Sequence, residues 1–264
     1  MSNLQPVSNP VPRETQISTL QLIMFDSEVD TLIGGEGADS FFLRQNGDQI
    51  PPLTPAASLI GTNQDDTLEG TSNRDVIPGR DGNDMISSFL GDDFIEGQNG
   101  NDILFSGQGN DLVIGSSGVD TLFGDIGVDT AYGGSEEDIV FGNNDADTLF
   151  GDGGDDSIYG GQGNDSLIGG TGNDLLLGDR GNDTLLGISS DSLGYTMITD
   201  FNGDEDKLLL AGTPDLYAID SSPANVPEGV AIFKINTTNN SKQLLAIVQG
   251  DIASTFDSNQ YVFI

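Results

Sequence analysis

An apolar residue recurs every nine positions through the middle of the chain, and an Asp stands two residues before each one. The apolar positions run from Leu68 to Leu185, and 13 of the 14 are Leu, Ile or Val. Such a fixed period is the signature of a solenoid built from repeated turns and strands. The 14 aspartates are Asp66, Asp75, Asp84, Asp93, Asp102, Asp111, Asp120, Asp129, Asp138, Asp147, Asp156, Asp165, Asp174 and Asp183.

Glycine follows the same period. If the Asp is position 6 of the repeat, glycine fills position 1 in 12 of 14 repeats and position 4 in 10 of 14. Glycine adopts turn conformations cheaply, so positions 1–6 predict a turn and the next residues a short strand with position 8 facing inward. Two repeats make one coil, and coils stack about 4.8 Å apart as parallel strands. The exceptions are Ser88 and Ser106 at position 1, and Gln64, Asn73, Glu136 and Asp145 at position 4.

The period also extends upstream, through Asp30, Asp39 and Asp48, but the next repeat has Ala57 in place of Asp. We interpret residues 25–187 as 18 repeats in one roll, one of them altered around a proline-rich segment. A separate N-terminal hairpin followed by a proline linker is the alternative. The expected domains are a flexible segment at 1–17, a roll at 18–190 with its core array at 61–187, and a β-rich C-terminal cap at 191–264.

Composition narrows the chemistry. The chain has 43 acidic and 8 basic residues, a formal charge of -35, and neither Cys nor His. This charge disfavours nucleic acid and anionic membranes, and no apolar run reaches the roughly 20 residues needed to span a bilayer. The missing His and Cys ligands disfavour zinc, copper, haem and iron–sulfur sites, whereas oxygen-rich sites for Ca²⁺ remain open. Stacked aspartates repel one another, so the narrow aliphatic core requires cations to neutralise them.

The segment from Gly160 to Ile168 reads GGQGNDSLI and matches every defined position of the pattern G-G-x-G-x-D-x-U-x. Over residues 25–187 the chain therefore resembles RTX proteins, whose repeats bind calcium. The resemblance implies a right-handed parallel β-roll, all-β, that is unfolded at cytosolic calcium and folded outside the cell. It also implies that each ion lies between turns that are two repeats apart. The ligands come from positions 2, 4 and 6 of one turn and positions 1, 3 and 6 of the next.

In one such site, the carbonyls of Gln98 and Gly100 and the carboxylate of Asp102 would face the carbonyls of Gly115 and Ser117 and the carboxylate of Asp120. The array allows at most 12 Ca²⁺ sites, and those around Asp138 and Asp147 are doubtful because Glu136 and Asp145 replace glycine. Besides the 14 aspartates, the glycines assigned to the metal sites are Gly82, Gly91, Gly100, Gly109, Gly118, Gly127, Gly154, Gly163, Gly172 and Gly181, with Gly97, Gly115, Gly124, Gly133, Gly151, Gly160, Gly169 and Gly178.

The nine-residue period stops after Gly187. Residues 197–208 resemble the flank that follows RTX arrays, and Asp200, Asp204 and Asp206 there form either one more calcium site or a plain solvated turn. Val230–Asn236 and Gln243–Val248 predict a hairpin. Residues 1–16 lack the pattern of a cleaved secretory signal. The apolar end after Tyr261 resembles an uncleaved type I secretion signal, although an ordinary terminal strand is the alternative.

Position 9 points outward and is unusually apolar. Alternate repeats share a sheet, so we expect one column on its outer face. A column of this kind either stabilises the sheet or provides a docking surface for a partner or a second copy, which leads to the hypothesis of self-association. Its members are Phe105, Phe123, Phe141, Tyr159 and Leu177.

These features favour a secreted calcium-binding protein with a structural or binding role at the cell surface or in the extracellular matrix. Calcium ions, type I secretion machinery and a surface or matrix component are its expected partners. A calcium-dependent accessory module of an extracellular enzyme or toxin system is the alternative. We expect no enzyme activity, because the sequence has no His for a triad or zinc motif and its patterned acids belong to turns. Ice binding is disfavoured because only Thr171 among the position-3 residues has the required type.

Overall fold

The chain forms a parallel β-roll in which successive repeats alternate between two facing sheets. The structure is a computed structural model, and it describes residues 31–33, 40–42, 57–186, 194–252 and 259–264. Within these residues one sheet has 11 strands and the other has 12. The prediction of an all-β parallel roll is confirmed.

The strands are short because each repeat supplies only a few extended residues before the next turn. A single 3₁₀ turn occurs in the described residues, at Pro214–Leu216. The 11-stranded sheet contains, in spatial order, β1 (Thr31–Ile33), β3 (Ala57–Ile60), β5 (Asp75–Asp81), β7 (Phe94–Asn99), β9 (Leu112–Ser117), β11 (Thr130–Ser135), β13 (Thr148–Gly153), β15 (Ser166–Thr171), β17 (Thr184–Leu186), β19 (Lys207–Leu210) and β23 (Tyr261–Phe263). The 12-stranded sheet contains β2 (Ser40–Phe42), β4 (Thr67–Glu69), β6 (Met85–Ser87), β8 (Ile103–Phe105), β10 (Thr121–Ile126), β12 (Ile139–Asn144), β14 (Ser157–Gln162), β16 (Leu175–Arg180), β18 (Thr196–Asn202), β22 (Lys242–Asp251), β21 (Val230–Ile235) and β20 (Tyr217–Ser221).

The core consists of two rows of position-8 side chains, one row from each sheet, packed between the sheets. Every one from Leu68 to Leu185 has 0% exposed surface. Each strand of the array pairs with the strand two repeats away, as in Val113 with Ala131 and Leu122 with Val140. This register places every position-6 Asp at the same height as the Asp of the neighbouring coil, so the aspartates form a column along each edge of the roll.

The N-terminal strands correct one prediction. β1 and β2 extend the two sheets in parallel, but Thr31 pairs with Ser58 and Ser40 pairs with Thr67, so their partners are three repeats away. An uninterrupted register would place the partners two repeats away, so the interpretation of 18 repeats in one register is wrong by one repeat. The extra repeat falls between β2 and β3, in an interval with three prolines, which cannot donate ladder hydrogen bonds. Asp30, Asp39 and Asp48 lie outside the described residues.

The C-terminal strands also belong to the two sheets. β18 pairs with β16 and β19 pairs with β17, both in parallel, but partners such as Leu175 and Met197 are more than two repeats apart. β21 and β22 form the predicted antiparallel hairpin, and β22 adds to the sheet beside β18. The terminal strand β23 pairs with β19 and buries Tyr261. The domain boundaries at 17 and 190 stay a prediction.

The predicted outward column is present on the 12-stranded sheet. The rings of Phe105, Phe123, Phe141 and Tyr159 stack face to face, with centroids 4.7, 5.0 and 4.8 Å apart, and Leu177 pairs beside Tyr159. A second stack joins Tyr132 and Phe150 on the other sheet at 4.5 Å. Stacking covers the ring faces and leaves the edges exposed, which supports the role in sheet stability. Self-association stays a prediction.

Replacing Phe123 by Leu is expected to lower the free energy of unfolding in calcium by about 1–3 kcal/mol, because two stacking pairs are lost. Bound calcium per chain should not change, since the ring lies outside the turns. Thermal unfolding in excess calcium measures the effect. Phe94→Leu is the matched control, because among the described residues no ring stacks on Phe94. Equal losses in both variants would contradict a specific contribution from stacking.

Candidate metal centres

The turns lie on two edges of the roll. On the first edge the chain passes from the 11-stranded to the 12-stranded sheet, and on the second edge it returns. We call the space between two consecutive turns on one edge a gap. The first-edge aspartates are Asp66, Asp84, Asp102, Asp120, Asp138, Asp156 and Asp174, and the second-edge aspartates are Asp75, Asp93, Asp111, Asp129, Asp147, Asp165 and Asp183.

From the turn of Asp84 to that of Asp183, each turn contains two residues in the left-handed region, at positions 2 and 4. The position-4 glycines have φ between +120° and +159°, as at Gly118 and Gly163. Position 2 also has positive φ in most turns, even with large side chains, as at Gln98 (φ 81°) and Phe89 (φ 75°). The alternation aims successive carbonyls in different directions, which is the geometry of a cation site built from main-chain oxygens.

The carbonyls of each turn point into the gaps. A Cβ added to Gly118 would collide with the carbonyl oxygen of Gly100, so the position-4 carbonyl faces the following coil. The carbonyl of Ser116, at position 2, points in the same direction, toward Gly134. The position-1 carbonyl of Gly115 points the opposite way, 3.0 Å from a Cβ placed on Gly97. Carbonyls of two turns therefore converge on each gap from opposite sides.

Glycine at position 1 leaves space beside the aspartate of the same turn. In Gly124, an added Cβ would lie 2.7 Å from Oδ2 of Asp129, the aspartate of its own turn. The same collision recurs at Gly97 with Asp102 and at the other position-1 glycines. The missing side chain therefore leaves a pocket that the aspartate carboxylate enters.

The aspartate column is linked by hydrogen bonds along the chain. The N–H of Asp102 donates to Oδ1 of Asp120 at 2.7 Å, and the N–H of Asp120 donates to Oδ1 of Asp138 at 2.8 Å. The equivalent bonds run without a break from Asp66 to Asp183, with lengths of 2.7–3.3 Å. Of two consecutive turns on one edge, we call the one nearer the N-terminus the lower turn and the other the upper turn. Oδ1 of the Asp in each upper turn thus accepts a hydrogen bond from the lower turn.

The other carboxylate oxygen, Oδ2, lacks a hydrogen-bond donor in most of these aspartates. In 12 aspartates Oδ2 is buried and has no hydrogen-bond partner. Seven aspartates on one edge enclose six gaps, so the two edges have 12 gaps in total, and each gap is bordered by at least one of these 12 aspartates. A buried carboxylate oxygen without a partner is strongly unfavourable unless a cation is nearby. The 12 are Asp84, Asp93, Asp102, Asp111, Asp120, Asp129, Asp138, Asp147, Asp156, Asp165, Asp174 and Asp183.

Burial raises the pKa of these carboxyls. Desolvation is the largest cause, and it raises the pKa of Asp138 and Asp147 to about 8 and that of Asp102 to about 7. Neighbouring carboxylates of the same edge add to the rise, while the backbone N–H at Oδ1 opposes it. A bound cation would reverse this balance by stabilising the charged form.

The column ends in turns with a different chemistry. At the N-terminal end Oδ2 of Asp66 accepts the N–H and the hydroxyl of Thr62, at 2.6 and 2.9 Å, and Thr71 does the same for Asp75. At the C-terminal end Oδ1 of Asp206 accepts the N–H of Asp183, and its Oδ2 accepts the N–H of Asn202. In these end turns, protein hydrogen bonds therefore satisfy Oδ2.

The worked site keeps its predicted members together. Gly100 donates its N–H to the carbonyl of Ser117 at 2.9 Å, which places that carbonyl in the gap between Asp102 and Asp120. Oδ1 of Asp120 and carbonyls from both turns therefore lie in this gap, and oxygen donors of this kind suit Ca²⁺. Among the described residues no three acidic side chains converge. Main-chain oxygens would therefore have to complete each site.

Glu136 and Asp145 keep the geometry of the glycines they replace. Their φ values are 74° and 72°, and their carbonyls point toward Gly154 and Gly163 of the next coil. The carboxylate of Glu136 accepts the N–H of Gly118 at 3.0 Å, so it enters the gap below its own turn. The backbone of these turns is therefore suitable for metal, and occupancy stays a prediction.

The three C-terminal acids are not brought to one point. Asp206 continues the second-edge column, whereas Asp200 accepts the N–H groups of Gly178 and Asp179, at 3.3 and 2.7 Å. Asp204 is exposed in its own turn. This arrangement favours the plain turn over one more calcium site.

The fold and these turns define a calcium-binding class of β-roll. The model of the RTX calcium-binding nonapeptide repeat matches residues 26–50, 60–88, 90–113, 114–149, 123–158 and 150–185, which is more than half of the chain. The chain belongs to this family. No helix in the described residues has the length and apolarity required to cross a membrane.

A solved structure shows a partial likeness. The solution structure of the AlgE6R3 subunit from the Azotobacter vinelandii mannuronan C5-epimerase aligns with a TM-score of 0.34 and 23% identity, over 52% of this chain and 80% of that one. No curated protein matches the sequence. The family assignment rests on the repeats alone.

Proposed function

We propose that this chain is an exported calcium-binding β-roll without catalytic activity that acts at the cell surface or in the extracellular matrix. Calcium would enter the 12 gaps after export and complete the fold. The observation that supports this most directly is the set of 12 buried Oδ2 atoms without a partner, which belong to aspartates that border the gaps. A formal charge of -35 would oppose folding where calcium is scarce.

Each proposed site has the same ligand types. The lower turn supplies the carbonyls of positions 2 and 4 and its aspartate, and the upper turn supplies the carbonyls of positions 1 and 3 and its aspartate. The directions of these carbonyls and the buried carboxylates support the assignment. Each inner aspartate borders two gaps, so one carboxylate would serve two ions.

The experiment is a calcium titration at pH 7.5 of metal-free chain, followed by circular dichroism and by native mass spectrometry to count ions. Half of the sheet signal is expected at roughly 0.1–1 mM calcium, the range of extracellular modules. A midpoint below about 1 μM, the range of cytosolic sensors, would contradict folding after export. Export is measured as chain in the medium of cells with and without a type I secretion system.

Replacement of Asp120 by Ala is expected to weaken two gaps, those toward Asp102 and Asp138, and to lower bound calcium by two ions per chain. The calcium midpoint should rise and the titration should become less steep. Asp81→Ala is the control of equal charge, because Asp81 is exposed and accepts only the side-chain amide of Asn99 among the contacts described. Unchanged stoichiometry in Asp120→Ala would overturn the ligand assignment.

A further inference from the structure

Two turns of the second edge differ from the others in the gap itself. Ser88 and Ser106 occupy position 1, where the remaining 12 repeats of the array have glycine. Both side chains are fully buried, with 0% exposed surface. Because the two turns are consecutive, their hydroxyls enter two consecutive gaps, between Asp93 and Asp111 and between Asp111 and Asp129.

The hydroxyls cross these gaps. Oγ of Ser88 donates to the carbonyl of Ser106 in the next coil at 2.6 Å. Oγ of Ser106 donates to the carbonyl of Gly124 at 2.7 Å, with the carbonyl of Phe123 at 3.2 Å. In both cases the acceptor is a position-1 carbonyl, which is one of the proposed calcium ligands of the upper turn.

Each hydroxyl therefore links two coils, as we propose that calcium does in the other gaps. The hydroxyl donates its hydrogen bond to the position-1 carbonyl of the next coil. The same carbonyl oxygen would otherwise be a ligand of the cation. Calcium entering such a gap must first break the bond between hydroxyl and carbonyl.

We propose that Ser88 and Ser106 are internal substitutes for the ion, which make these two gaps the weakest calcium sites of the roll. This inference rests on the proposed function, because it assumes that the other gaps bind calcium. The second edge would then contain one stretch of coils that is held together before metal binds. The first edge, with glycine at every position 1, would depend on calcium throughout.

The test is the double variant Ser88→Gly with Ser106→Gly, which restores the glycine found in the other repeats. Wild-type and variant chains are loaded with calcium, passed through a column at a fixed low calcium concentration, and analysed for metal content. The variant is expected to retain two more ions per chain and to show about tenfold tighter binding of the last two. Equal retention, or fewer ions because the hydroxyls are ligands, would overturn the inference.

Two controls keep the result specific. Ser157→Gly with Ser166→Gly removes the same atoms from partly exposed position-7 strand residues, which are not among the proposed ligands, and should leave retention unchanged. Thermal unfolding in saturating calcium shows that each variant is folded. If the wild-type chain binds no calcium at all, the proposed function fails. If it binds calcium but the Ser88 and Ser106 variant behaves like wild type, only this inference fails.

Discussion

Metal-free chain is expected to lose its sheet structure at pH 7.5 and to regain much of it near pH 5. In the unfolded chain an Asp carboxyl has its ordinary pKa of 3.8, whereas burial raises the pKa to about 6 at Asp165 and Asp174 and about 8 at Asp138 and Asp147. Between these values the folded chain binds more protons than the unfolded chain, so stability rises as pH falls. This contribution is complete below pH 3.8, decreases as pH rises from there, and is lost once pH has passed the folded-state pKa values of about 6 to about 8.

Calcium should reverse this dependence. Because the ion requires charged carboxylates, protons compete with it, and the loaded chain is expected to be less stable at pH 5 than at pH 7.5. The measurement is far-ultraviolet circular dichroism from pH 5 to 8.5, on chain freed of metal by resin and on chain in about 10 mM calcium, which is about ten times the upper end of the expected range of midpoints. Sedimentation at each pH controls for association, since the pI is about 4.1.

Two outcomes would contradict this account. A full sheet signal at pH 7.5, in chain shown by mass spectrometry to be free of metal, would mean that the aspartate columns tolerate their own charge. A metal-free chain that stays disordered at pH 5 while monomeric would mean that carboxylate repulsion is not what prevents folding.

Gly100→Ala is expected to lower the melting temperature in calcium by about 5–10 °C or to prevent folding. The added Cβ would collide with the carbonyl oxygen of Gly82 in the preceding coil, and φ at Gly100 is +129°, where side chains are strained. Backbone strain of this kind costs about 1–3 kcal/mol, and the collision adds to it. The displaced carbonyl also belongs to the gap between Asp84 and Asp102, so calcium binding should weaken there.

Gly153→Ala is the matched control. An alanine Cβ at Gly153 would lie 3.3 Å from Oγ1 of Thr171 and 3.7 Å from the carbonyl oxygen of Gly134, and φ there is not left-handed. Its melting temperature should stay within about 2 °C of wild type, a change of less than about 1 kcal/mol. Similar losses in the two variants would show that turn glycines act through chain flexibility and not through contact with the next coil.

The nine-residue period predicted the roll, its core and its aspartate columns because each is a direct consequence of one residue type at a fixed spacing. The period did not predict that β1 and β2 pair with strands three repeats away. The period counts repeats in the sequence, but it does not show which repeats pair with one another, because pairing between coils is a choice among registers.

Local conformation was harder to predict than spacing. The left-handed residues at Gln98 and Ser116 carry ordinary side chains, so nothing in their identity indicates positive φ. The turns at the N-terminal end do carry a signal in the sequence. Thr62 and Thr71 stand at position 2 only in the first turn of each edge, four residues before an Asp whose carboxylate they bind. Ser88 and Ser106 break the glycine pattern, but only the structure shows which carbonyls their hydroxyls reach.

The aspartate hydrogen bonds all run in one direction, from the N–H of one coil to the carboxylate of the next. The roll is therefore a polar object with unlike ends. Removal of coils from the C-terminal side would expose main-chain N–H groups, which water satisfies at little cost. Removal from the N-terminal side would take away the main-chain N–H donors of the next carboxylates and leave their negative charge uncompensated. Shortening this protein should thus be tolerated far better from its C-terminal end than from its N-terminal end.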